Sequence, residues 1–271
     1  MKLAFDRIDG ERPERAIVFL HGILGRGVNL RTLATRFVQD HPAWTALLVD
    51  LRGHGRSPKG TPGASLEAAA RDVIESAAGH QPPVTAIAGH SFGGKVALEV
   101  ARIGELAAPQ HLVVMDSMPG ARELIRSGDG VLGIIDTIAS MSTVFPSITG
   151  FVDALTRAGL SKTVSQWLAG SLERTGDHLR FALDPGEIRA LALDYAARDL
   201  WSVIEHPQDE LQVHLVVGER SDTYTEADRE RANRIAGSNP RVTVDLLPAG
   251  HWVHVDDLDG LLRVMHLRVG S

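Results

Sequence analysis

The hexapeptide Gly89-His90-Ser91-Phe92-Gly93-Gly94 joins a β-rich run, VTAIA, directly to a run with helical spacing, KVALEVARIG. Few folds accommodate such a join. A strand that passes into a helix at a serine forces that serine into a sharp, strained turn, so the residues two before and two after it must be small. Gly89 and Gly93 occupy those two places. The turn projects Ser91 Oγ beyond the end of a sheet, and the following helix aims its free first-turn N–H groups at the same point.

The rest of the chain repeats this rhythm. Short apolar, β-rich runs alternate with longer helix-spaced segments, which predicts an α/β fold with a mostly parallel sheet flanked by helices. Strands are expected at Leu3–Phe5, Ala16–Leu20, Ala46–Asp50, Val84–Ala88, Leu112–Asp116, Val213–Gly218 and Val242–Leu247. The near-continuous apolar runs AIVFL, ALLVD and HLVVMD suit strands buried on both faces. Helices are expected over Asn29–Asp40, Ser65–Ala78 and Gly93–Ile103, with Asn29 and Ser65 as N-caps.

Residues 119–206 break the alternation. Four helix-like stretches fill them (VLGIIDTIASM, ITGFVDALTRAGL, SKTVSQWLAGSLE and GEIRALALDYAARDLW) with no convincing strand. This predicts a core in two parts, 1–118 and 207–271, interrupted by a helical lid over 119–206. Ligands of open α/β sheets bind outside the carboxyl ends of the strands. A lid there would wall the site with Ile134, Ile138, Phe151, Trp167 and Phe181, or those residues would simply pack the lid onto the core.

A net charge of −6, with both signs interspersed, argues against nucleic acid as a partner, because a phosphate backbone needs a basic patch. No cysteine is present, which excludes disulfides, thiolate metal sites and cysteine nucleophiles. The N-terminus, MKLAFDRIDGERPER, has no apolar signal core, and no run reaches the length of a membrane span. The expectation is a cytoplasmic protein with no membrane span. HExxH, a P-loop and a dinucleotide glycine fingerprint are all missing, so no metal and no cofactor are expected. Oligomeric state has no signature in the sequence.

A serine hydroxyl needs a base, and a place for the negative charge that its attack creates. The N–H of Phe92 is one donor by position. A second is expected from Ile23, in His21-Gly22-Ile23-Leu24-Gly25 directly after AIVFL. Among twelve histidines, His251 is the candidate base: Pro248-Ala249-Gly250-His251-Trp252 follows the last strand and precedes a final helix. His90 is held by the serine turn, and His254 reads as structural. Leu24, His90, Trp167 and Trp252 are candidates to line the substrate pocket.

HGILG, DLRGHGRSP, GHSFGG and PAGHWVH, in this order and at these intervals, resemble the α/β-hydrolase superfamily. The GHWVH ending and the single helical lid also resemble YbfF-type bacterial esterases and their eukaryotic relatives. The resemblance implies a structural role for Asp50 and His54 in the DLRGHGRSP loop. It also bears on the acid that supports His251. Most members place it after Val213–Gly218 in a Gly-x-x-Asp pattern, but here that position holds Ser221 and Asp222 comes one residue late. Successive side chains of an extended segment point in opposite directions, so one residue matters. The YbfF-type enzymes resemble this sequence instead at Asp116, in Asp-x-x-Pro, and carry serine where Ser221 stands. Asp116 is the favoured acid and Asp222 the reserve. Otherwise, Asp116 would cap the first lid helix, and Asp222 would cap the helix after it.

The constellation implies a serine hydrolase that cleaves carboxylic esters or thioesters of small to medium hydrophobic substrates through an acyl-enzyme. The same residues would serve a C–C bond hydrolase, a lactonase, an acyltransferase or a cofactor-free haloperoxidase. A non-catalytic ligand receptor on the same scaffold is the alternative from another class.

Overall fold

The computed structural model describes residues 1–59, 63–106, 110–124 and 130–270. The strands are β1 Phe5–Asp9, β2 Arg15–Leu20, β3 Trp44–Val49, β4 Val84–His90, β5 His111–Met115, β6 Val144–Phe145, β7 Leu172–Thr175, β8 His178–Phe181, β9 Gln212–Gly218 and β10 Val242–Leu247. The helices are α1 Arg31–Asp40, α2 Leu66–Ala77, α3 Phe92–Ile103, α4 Val131–Ala139, α5 Ile148–Arg157, α6 Lys162–Leu168, α7 Pro185–Ala197, α8 Trp201–Glu205, α9 Glu226–Ser238, α10 Val253–Asp256 and α11 Leu258–Arg268. Seven strands form the main sheet in the order β1-β3-β2-β4-β5-β9-β10. Only β1 is antiparallel to its neighbour.

Side-chain alternation sends the central strands into two separate cores. Val18, Leu20, Ile87, Val114 and Leu215 face one side, where α2 and α3 cover them with Ala69, Val73, Val96 and Val100. Ile17, Phe19, Ala88, Val113 and Val216 face the other, under Leu33 and Phe37 of α1 and Leu261 and Met265 of α11. Both faces are dry, which is why these strands read as continuous apolar runs. Burying each large aliphatic or aromatic side chain contributes about 1.5–3 kcal/mol.

Several boundaries differ from the sequence reading. The first strand runs over Phe5–Asp9 rather than Leu3–Phe5, because side chains take the N–H groups of residues 3 and 4: Leu3 donates to Ser76 Oγ and Ala4 to Ser57 Oγ, each at 2.9 Å. Asn29 is not an N-cap. A 3-10 turn, Gly27–Leu30, precedes α1, and Asn29 Oδ1 reaches back to accept from Arg26 N–H at 2.6 Å. Ser65 does cap α2, accepting from Ala68 N–H.

The long connection from β5 to β9 carries α4 to α8 and, against expectation, three strands. They form a small antiparallel sheet, β6-β8-β7, closed by a hairpin at Gly176 (φ 60°). Its strands are two to four residues long and mostly solvent-facing, so LERTGDHLRF lacks the apolar signal of a core strand. Residues 125–129 of this connection lie outside the described residues. No helix among the described residues is long and apolar enough to cross a membrane.

Candidate active site

The serine turn is as tight as its sequence demands. Ser91 has φ 52° and ψ −117°, and its N–H donates to Met115 O at 3.0 Å. Such backbone strain at a non-glycine residue costs about 1–3 kcal/mol and needs the surroundings to impose it. The close approach of neighbouring chain does so. A Cβ on Gly89 would lie 2.2 Å from Gly93 O, and one on Gly93 would lie 2.4 Å from Leu20 O.

Strand β5 stops at Met115, one residue before the expected end, because Asp116 turns to φ 44°. That turn directs its carboxylate, wholly buried, towards β9 and the loop after it. Oδ1 accepts from Gly218 N–H at 3.0 Å, while Oδ2 accepts from Ser221 Oγ–H at 2.5 Å and from His251 Nδ1–H at 2.7 Å. The bond to Nδ1 leaves Nε2 of His251 as the ring's acceptor. Asp116 does not cap α4, whose N-cap residue is Gly130.

Asp222 is exposed and makes no hydrogen bond to His251 among the described residues. Nor does it cap α9, whose N-cap is Thr225 in a capping box with Asp228. Two hydroxyls beside Asp222 reach the Asp116–His251 pair. Thr223 Oγ1 is 3.1 Å from His251 Nδ1 and 3.0 Å from Ser221 Oγ. Sequence reasoning noticed Ser221 as an occupant of the usual acid position but gave it no role, and it missed Thr223. The alternation of the stretch SDT, serine and threonine on one side and aspartate on the other, was the available signal.

The loop carrying Ile23 is braced from below by DLRGHGRSP. Leu24 sits at φ 65°, and its N–H donates to His54 Nε2 at 3.0 Å. His54 Nδ1–H donates in turn to Arg52 O at 2.8 Å. This pairing requires a neutral imidazole, and burial pushes the His54 pKa down to about 3. Asp50 accepts from Gly27 and Arg56 N–H groups at 2.8 and 2.9 Å. His21 Nε2 accepts from Leu51 N–H at 3.0 Å. The N–H groups of Ile23 and Phe92 have no acceptor among the described residues.

All of the sequence-derived site residues except Asp116, which lies behind the wall, line one cavity of about 540 Å³. These are Ser91, His251, Asp222, Ile23, Phe92, Leu24, His90, Trp167 and Trp252. His90 Nε2–H donates to His251 O at 2.8 Å, so it braces His251 as well as lining the cavity. Trp167 and Trp252 face each other with ring centroids 6.0 Å apart. Of the five residues proposed as lid wall, Ile134 and Trp167 reach the cavity. Ile138, Phe151 and Phe181 do not: Phe151 stacks on Phe181 and meets Phe145 edge-on, inside the β5–β9 connection. Val131, Val164, Arg122 and Tyr195 take wall positions that the sequence reading missed. Which side of a helix faces a cavity depends on how this connection packs, and one sequence does not display that.

Lys95, one turn into α3, is fully buried and donates to Gly120 O (2.6 Å) and Tyr195 O (2.8 Å). Burial, reinforced by the charge of Arg122, lowers its pKa to about 7. It thus ties the serine helix to α7. Among the described residues, no group of three or more histidine or acidic side chains stands at metal-binding geometry.

The family described as alpha/beta hydrolase matches residues 17–264. The sn-1-specific diacylglycerol lipase ABHD11 of Mus musculus is 29% identical over 94% of this chain and 81% of its own length. Esterase YbfF of Escherichia coli is 26% identical, covering 92% of this chain and 91% of its own. Among solved structures, a marine microorganism esterase superposes with a TM-score of 0.80 at 24% identity, covering 99% of each chain.

Proposed function

Because the chain belongs to the alpha/beta hydrolase family and is a hydrolase resembling YbfF-type esterases, we propose that it cleaves carboxylic esters or thioesters through an acyl-enzyme on Ser91. The observation that carries this is the 2.7 Å bond from His251 Nδ1–H to the buried Asp116, made beside the cavity that holds Ser91. Asp116 fixes the tautomer, so His251 Nε2 takes the proton from Ser91 as its Oγ attacks the carbonyl carbon. The N–H groups of Ile23 and Phe92 receive the oxyanion, and losing one such donor costs about 3–4 kcal/mol in comparable enzymes. Collapse expels the alcohol or thiol, which takes the proton from His251. A water, activated by the same imidazole, then releases the acid.

Thr223 and Ser221 hold the base and acid in register, and Asp222 has no part. The connection from β5 to β9 acts as the lid, with Ile134, Val164 and Trp167 excluding water from the apolar part of a small-to-medium substrate. Labelling of Ser91 by a fluorophosphonate probe tests the reading. Folded protein that resists the probe, or a Ser91→Ala variant that still turns over p-nitrophenyl butyrate, would overturn it.

A further inference from the structure

One arginine lines the cavity of Ser91 and His251, and among the described residues its guanidinium has no carboxylate partner. Arg122 is half-buried, and its own N–H donates to Ala196 O on α7 at 2.9 Å, which pins the base of the side chain to the wall. Its head lies beside the Tyr195 hydroxyl. Burial raises that phenol's pKa, and the Arg122 charge opposes the rise. The neighbouring cation, Lys95, is satisfied by two carbonyls.

Two of the acidic groups around this wall are engaged elsewhere. Asp194 accepts from Leu66 N–H at 2.7 Å and lies 3.5 Å from Arg198, and Asp199 accepts from Trp201 N–H at 3.0 Å. Glu123 and Asp222 line the cavity but are exposed to solvent. A partly desolvated charge without a counter-ion is costly, whereas a ligand carboxylate would meet a guanidinium with two parallel hydrogen bonds. Ile23, Leu24, Ile134 and Trp167 line the same cavity, and apolar walls lower the local dielectric, which strengthens such a pair.

We propose that Arg122, backed by Tyr195, is an anion-recognition subsite, and that the preferred substrates are esters bearing a carboxylate away from the scissile bond. The proposal rests on the hydrolase reading above and names its substrate class. Two pairs of similar size test it: p-nitrophenyl hemiglutarate against p-nitrophenyl hexanoate, and 4-carboxyphenyl butyrate against phenyl butyrate. The first places the anion on the acyl side, the second on the alcohol side.

In at least one pair, the anionic-to-neutral ratio of kcat/KM should fall by about ten- to hundredfold in Arg122→Gln, mostly through KM, with part retained in Arg122→Lys. The wild-type preference should also weaken as salt is raised. Ratios that are equal in wild type and Arg122→Gln for both pairs would overturn the subsite, as would a wild-type preference that salt leaves untouched. Hydrolysis of the neutral esters alone reports on the hydrolase reading. If no ester of either series is cleaved, quenching of tryptophan fluorescence by glutarate still decides the subsite. It should be present in the wild type and absent in a folded Arg122→Gln, and equal quenching in both would sink it.

Discussion

Asp116 concentrates three donors on one wholly buried carboxylate, at a backbone angle that costs energy to hold. Asp222, four residues from the Gly218 N–H that Asp116 occupies, faces solvent. Asp116→Asn should therefore lower kcat by about a thousand- to ten-thousandfold, as loss of the tautomer-fixing acid does in serine triads. Asp222→Asn should leave it within about threefold, in line with a surface change. Steady-state kinetics of the two variants on one ester decides between them. His54 invites a second test, because it is the acceptor that holds Leu24 in place beside Ile23. His54→Phe leaves the Leu24 N–H unsatisfied, which should cost about 1–3 kcal/mol in urea unfolding and depress kcat more than it raises KM. The two aspartates could be weighed from sequence because register within a strand is a local property. The hydroxyls of Ser221 and Thr223 could not be given roles, since those depend on a histidine that arrives from elsewhere in the chain.

Helix α3 shows how elements carry the site, because its first turn is squeezed rather than optimised. Alanine is the better helix former by about 1 kcal/mol, yet at Gly93 its Cβ would meet Leu20 O at 2.4 Å. Gly93→Ala should destabilise the fold by about 1–3 kcal/mol or more, with the turn sprung and activity lost. Gly237, near the end of α9, has nothing within 4 Å, so Gly237→Ala should stabilise by up to about 1 kcal/mol. Urea midpoints moving in the same direction for both would contradict this account. At this scale, the sequence was most legible where burial is two-sided: β2, β3 and β5 announce themselves as unbroken apolar runs. It was least legible at β6, β7 and β8, whose short strands owe their pairing to the packing around them. Asn29 misled because four residues of 3-10 turn and the start of an α-helix share a spacing.

Across the whole molecule, neutral histidines are locked into the fold at several depths. Burial pushes His54 down to about 3, and burial together with the charge of His111 takes His214 on β9 to about 4. The unfolded chain protonates these rings near pH 6.5 and the folded chain does not, so stability is lost as pH falls from about 6.5 towards about 4. Each ring contributes a slope of at most about 1.4 kcal/mol per pH unit. Urea midpoints measured at stepped pH should drop through this window and stay flat above it, and His214→Asn should make the slope shallower. The residues of the cavity come from the segments that follow β2, β4, β9 and β10 and from the connection between β5 and β9. The fold class was therefore readable from local rhythm, while Arg122 and Tyr195 emerged only with the packed chain. The Asp116–His251 bond spans 135 residues of sequence. A ribosome adding about 5–20 residues per second delivers the histidine on the order of ten seconds after the aspartate. On the proposed mechanism, until that last strand docks beside β9, the nascent chain would hold Ser91 without the histidine that deprotonates it. On that reading, the order of synthesis would keep the emerging protein chemically silent.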